Sequence, residues 1–131
     1  MSRFDNVNDI SVAVSLPAAA RTATANGTGV DLNGYNAAAV VITSGTVTDG
    51  SVYTFEVQES DDNATFTAVA DADLIGTEPT LSSADDNVVR EVGYKGNKRY
   101  IRVALTTVTG ATTGGLFAAI VVRGKPRKYP A

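Results

Sequence analysis

Between Val52 and Glu59 the chain alternates without a break. Tyr53, Phe55 and Val57 fall on one side, and Thr54, Glu56 and Gln58 on the other. A period of two is what a half-buried strand requires, because successive side chains leave opposite faces of the pleat. The same period recurs along the chain, broken by clusters of Gly, Asn, Asp and Ser, and no helical period takes hold. A chain patterned this way can bury its apolar side chains only by stacking or closing sheets. The expectation is an all-β fold of about eight short strands: an antiparallel β-sandwich, jelly-roll-like. With 131 residues it is read as one domain over 1–131, with arms at 1–9 and 124–131.

The strands can be placed one by one. Ile10 to Leu16 alternates, with Ile10, Val12, Val14 and Leu16 sharing a face, and Pro17 is expected to end it. Arg21 to Ala25 and Gly29 to Leu32 follow, separated by an Asn26-Gly27 turn. Asn33-Gly34 and Asp49-Gly50 read as further turns. "AAAVVIT" (Ala37 to Thr43) is apolar on both faces and reads as a centrally buried strand. Phe66 to Val69 alternates weakly. Asp71 to Asp86 reads as a long loop with room for one helical turn. Asn87 to Tyr94 and Tyr100 to Thr107 are strands, joined by an expected hairpin turn at Lys95-Gly96-Asn97-Lys98. The final strand, Leu116 to Arg123, is apolar on both faces, and Pro126 and Pro130 are expected to keep the tail from continuing it.

The residue inventory argues against catalysis. There is no Cys and no His, which removes thiol nucleophiles, thiolate metal sites, the commonest general base and the commonest zinc ligand. A serine triad lacks its base. The four lysines stand in turn or tail contexts, where desolvation would not activate them. No enzyme activity, cofactor or metal is expected. "ESDDNATF" gathers Glu59, Asp61, Asp62 and Asn63, oxygen donors of the kind calcium takes. Its acids are adjacent rather than alternate, unlike an EF-hand loop. The plainer reading is a hairpin whose turn is Asp62-Asn63, since both residues tolerate left-handed backbone and bond their own main chain.

Charge is divided along the chain. Residues 1–89 carry thirteen acids and two bases, a net of −11; residues 90–131 carry nine bases and one acid, a net of +8. Such a split suits an electrostatic partner, or pairing of the two halves within the fold. The bases near Tyr94, Tyr100 and Tyr129 would suit nucleic acid, but an overall acidic chain repels phosphate at long range. No apolar run approaches the roughly 20 residues of a membrane helix, so a soluble protein made in a cytoplasm is expected.

Three stretches carry a resemblance. "YTFEVQESDDNATFTAVADADLIG" resembles small structural proteins of tailed bacteriophages and gene transfer agents, in which a strand of the form Y-x-F/V-x-V-Q-x-S leads to a D-D/N-x-x-x-F hairpin. "RYIRVALTTVTGATTGGLFAAIVVRGKPRKYP" is similar to the ends of the same proteins, and "DLNGYNAAAVVITSG" fits them as well. The likeness covers about residues 30–130. It implies a β-sandwich of the capsid-associated group (decoration, cement or head-fibre-base proteins) that binds the outer surface of a phage head and bridges capsomers. The implied partners are the major capsid protein and further copies of the chain, as dimer or trimer, and the implied location is the virion surface. Contacts are expected from Arg3 and Phe4 at the start and from Arg123, Lys125, Pro126, Arg127, Lys128 and Tyr129 at the end. Asp61 and Asp62 are candidate acidic contacts. Remote sandwich domains that bind carbohydrate share the S-D-D/N-x-x-x-F hairpin, so a glycan-binding module for host attachment is the alternative, and a head–tail connector or tail protein a third.

Overall fold

The computed structural model describes residues 4–131. Its strands are β1 (Ile10–Arg21), β2 (Ala25–Asn26), β3 (Val30–Asp31), β4 (Tyr35–Val47), β5 (Val52–Ser60), β6 (Thr67–Ala68), β7 (Leu74–Ile75), β8 (Thr80–Leu81), β9 (Val89–Tyr94), β10 (Tyr100–Thr109) and β11 (Gly115–Pro126). One sheet has the order β1-β11-β4-β9-β7. The other runs β2-β10-β5-β6, with β3 also on β10 and β8 also on β5. All pairings are antiparallel. The chain passes back and forth between the sheets in the manner of a jelly roll, with β1, β4, β9 and β11 in one and the short β2 and β3, β5 and β10 in the other.

Alternation explains the core. Tyr53, Phe55 and Val57 from β5 and Ile101, Val103 and Leu105 from β10 are buried against Val40, Ile42, Phe117, Ala119 and Val121 of the other sheet. Phe117 sits between two rings, 4.6 Å from Tyr53 and 5.4 Å from Phe55 by centroid. Tilted ring pairs at these distances gain attraction beyond area burial.

Several expectations are corrected. Asp71 to Asp86 is no bare loop: after a 3-10 turn at Asp71–Asp73 it places β7 on one sheet and β8 on the other. Lys95 to Lys98 is no hairpin turn, because β9 and β10 lie in opposite sheets and the segment crosses between them. Asn26-Gly27 makes no hairpin either. Gly27 is needed there because a methyl group would overlap the Val103 carbonyl oxygen and Ser15. Pro17 does not end β1. It lies where the β1–β11 register shifts, between Leu16 and Ala19, on an edge strand that needs no donor outward. A second shift, between Val14 and Leu16, breaks the expected face. Ser15 and Leu16 are buried, whereas Ile10, Val12 and Val14 stand on the outside. Nor does Pro126 stop β11; it is the strand's last residue, paired with Tyr35 and buried.

Candidate interaction surfaces

The two outer faces of the sandwich differ in chemistry. On the β5–β10 sheet the outward side chains include Thr54, Glu56, Gln58, Arg102 and Thr106, and Arg102 Nε donates to Gln58 Oε1 at 2.7 Å. The five-stranded sheet is the reverse. Its register aligns Val12, Val122, Ala39, Gly93 and Ile75 in one row across all five strands. The next row is Val14, Ile120, Val41 and Glu91; a third is Ala118, Thr43 and Val89. Val12, Val14, Val89 and Ile75 are 51%, 55%, 56% and 62% exposed. Glu91 is the one charge in these rows, and it stands at the rim, since β7 pairs only with Gly93 and Tyr94. "AAAVVIT" is thus central in its sheet, as expected, but covered on one side only. Spacings of about 4.8 Å between strands and about 3.3 Å along them give these three rows roughly 400 Å². A contiguous apolar patch of this size is the largest a typical monomer leaves in water, and such patches are often functional.

The second surface lies at the end of the sandwich where the β3–β4 loop, the β9–β10 crossing and the C-terminal segment meet. There a cleft of about 730 Å³ is lined by Tyr35, Asn36, Tyr94, Lys95, Asn97 and Arg127, among others. The Tyr94 hydroxyl donates to Glu59 Oε2 at 3.0 Å and accepts the Lys98 N–H at 3.1 Å. Burial foremost, then the Glu59 carboxylate, pushes its pKa up to about 12.

The charge split is answered in part inside the fold. Lys98 meets Asp61 at 2.8 Å, Arg99 meets Asp31 at 2.9 Å, and Arg90 approaches Asp85 at 3.9 Å. Each pair joins the acidic half of the chain to the basic half. Adjacent acids diverge, as neighbours at a strand end must. Asp61 takes the Lys98 pair, while Asp62 Oδ1 accepts the N–H groups of Ala64 at 2.9 Å and Thr65 at 3.0 Å. Those backbone donors and the Ser60 hydroxyl hold the Asp62 carboxyl down at about 2. Asn63 takes left-handed backbone at φ 60°. The "ESDDNATF" knot is therefore the loop of the β5–β6 hairpin, wider than a two-residue turn. Among the described residues, no three His, Cys, Asp or Glu side chains gather to hold a metal ion.

The expected arm residues separate. Arg3 lies outside the described residues. Phe4 is fully exposed. Arg123 is no arm residue: its guanidinium lies 4.9 Å from the Tyr35 ring centroid and donates to the Asp31 carbonyl at 3.1 Å and to Ser11 Oγ at 2.8 Å. Lys125 and Pro126 belong to β11. Arg127 N–H donates to the Gly34 carbonyl at 2.8 Å, and the Ala131 N–H to that of Asn8 at 2.9 Å. The tail is laid back on its own sandwich, leaving Lys128 and Tyr129 exposed. The open apolar face has one legible sign in the sequence, two strands apolar on both sides, and Asn36 and Asn97 have none.

The Bbp16 family model matches residues 11–121, nearly the whole sandwich. The chain belongs to the Bbp16 family. Among solved structures, this Bbp16-family chain is similar to the PBSX exported protein XepA, with a TM-score of 0.55 and 16% identity. The similarity covers 95% of this chain and 40% of that one, and at this identity it is a likeness of fold. No curated protein matches the chain.

Proposed function

We propose that this Bbp16-family chain is a phage virion structural protein, and more narrowly a decoration protein that binds the outside of an assembled head and bridges capsomers without catalysing a reaction. The observation that carries this reading is the wide, nearly uncharged outer face of the five-stranded sheet. A fold whose largest surface feature is an uncovered apolar sheet works by assembly. The likeness of fold to the PBSX exported protein XepA accompanies this reading. The occupant proposed for the face is a second copy of the chain. Its roughly 400 Å² is about half of the roughly 800 Å² that each partner contributes to a stable interface, the share of an apolar core that a polar rim surrounds, and its near lack of charge matches homodimer interfaces rather than wetter transient ones. A pair of sandwiches joined this way is bivalent, so modest contacts with two capsomers add up to firm attachment.

The test uses the double variant Val12→Glu/Val14→Glu, on an edge strand where charge is tolerated in the fold. The wild-type chain is expected to sediment as a dimer and to pellet with assembled shells. The variant is expected to keep its circular dichroism spectrum, sediment as a monomer and lose most of its shell retention. Unchanged retention by a monomeric variant would refute the bridging mechanism. A particle reconstruction showing six or twelve copies at one vertex would favour a connector. Glycan-array binding without shell binding would favour host attachment.

A further inference from the structure

We propose that the cleft at the basic end is a docking site for an extended, acidic peptide segment, received as a short added strand beside β4. Three observations converge there. The first is an open strand edge. β4 begins at Tyr35, but its pairing with β9 starts only at Ala38, opposite Tyr94. On that side, among the described residues, no strand accompanies Tyr35–Ala37, although β11 pairs with them on the other. Beyond Tyr94 the chain turns away, and the Lys95 N–H is spent on the Asp73 carbonyl at 2.9 Å. The cleft occupies the line that β9 would have continued along. A partner's backbone placed there completes the ladder for two or three residues, which is the logic of strand addition.

The second observation is uncommitted charge. Four bases line the cleft: Lys95, Lys98, Arg99 and Arg127. Lys98 and Arg99 are held by Asp61 and Asp31. Lys95 and Arg127 enter no ion pair among the described residues; Arg127 has only a long contact, Nε to Asn36 Oδ1 at 3.4 Å. Two free cations on the rim ask for carboxylates. The third is the lining itself. Ala37, Ala38 and the Tyr94 ring offer apolar floor, and Asn33, Asn36 and Asn97 offer amides that can both donate and accept. A strand that alternates apolar and acidic residues satisfies all three: apolar side chains down, carboxylates at the rim, backbone against β4. An acidic sugar could answer the charges, but it has no backbone to pair with the open edge. The inference stands on the cleft alone, whatever covers the apolar face.

A fluorescein-labelled octapeptide of alternating valine and aspartate, followed by fluorescence anisotropy on the full chain, tests it. Saturable binding is expected, weakening as salt rises from about 50 to about 500 mM. Lys95→Ala/Arg127→Ala should weaken it about tenfold, since each exposed charge contact contributes a factor of a few. Arg90→Ala, remote from the cleft, should change nothing. The same peptide N-methylated at its valines should bind the wild-type protein about tenfold more weakly, a readout that needs no variant. The proposal is overturned by absence of saturable binding, by equal binding of a valine–lysine octapeptide, by undiminished binding to the double variant, or by preference for an oligogalacturonate. Equal binding of the N-methylated peptide would overturn strand addition.

Discussion

Replacing Ser15 by alanine should cost about 2 kcal/mol. Ser15 is fully buried on β1, and its hydroxyl ties one sheet to the other. Oγ accepts the Val103 N–H of β10 at 2.9 Å and donates to the Thr28 carbonyl at 2.9 Å. The Thr28 N–H returns a bond to the Ser15 carbonyl at 2.6 Å, and the Gly27 N–H donates to the Val103 carbonyl at 2.8 Å. Alanine keeps the backbone bonds but leaves the buried Val103 N–H and the part-buried Thr28 carbonyl without their partner. An unsatisfied buried group costs about 1–3 kcal/mol. For a domain of this size, about 2 kcal/mol lowers Tm by roughly 6–10 °C. Urea unfolding should show a lower midpoint at unchanged slope, because the surface exposed on unfolding is the same. The Val103 amide should exchange faster with solvent. Threonine should not rescue, since its extra methyl group meets the tightly packed Gly27. A loss below about 0.5 kcal/mol would refute the assignment of Ser15 as an inter-sheet tie. Function is involved too, because the register shift that turns Ser15 inward is the one that leaves Val12 and Val14 outside.

Two further predictions concern pH. Asp62 has its pKa lowered to about 2 by N–H donors, so its contribution to stability is present above the unfolded carboxylate value near 4 and is lost as pH falls through about 2. The Tm gap between wild type and Asp62→Ala should be constant from about pH 5 to 8 and shrink toward pH 2; a gap that persists in acid would remove the carboxylate from the explanation. Glu78 behaves oppositely. It accepts the Val57 N–H at a gap in the β5 edge between β6 and β8, and burial first, then Glu56 and Asp71, raises its pKa. A raised carboxyl pKa favours the fold below the unfolded value near 4.3, and that advantage is lost as pH rises through the folded one. Glu78→Gln, which can still accept the N–H, should therefore gain Tm relative to wild type between about pH 4 and 7. A flat difference across that range would count against it.

The sequence by itself determined the β class, most of the strands, and which residues of β5 and β10 face the core, because period-two alternation is a local property of the chain. It also determined the Asp62-Asn63 loop, since the Asp62 side chain accepts backbone N–H groups two and three residues on and Asn63 tolerates left-handed backbone. Tertiary structure decided what depends on partners far along the chain. The β1 register shift is set by β11, about a hundred residues away, and it reverses the face on which Val12 and Val14 stand. Lys95 to Lys98 has the composition of a turn, and only the pairing of β9 with β4 and of β10 with β5 makes it a crossing between sheets. The charge halves meet as Lys98–Asp61 and Arg99–Asp31 because folding brings distant loops to one end. "AAAVVIT" shows the division most plainly. Its composition dictates that both faces avoid water, but the fold covers only one, and the other is the face proposed above to meet a second copy.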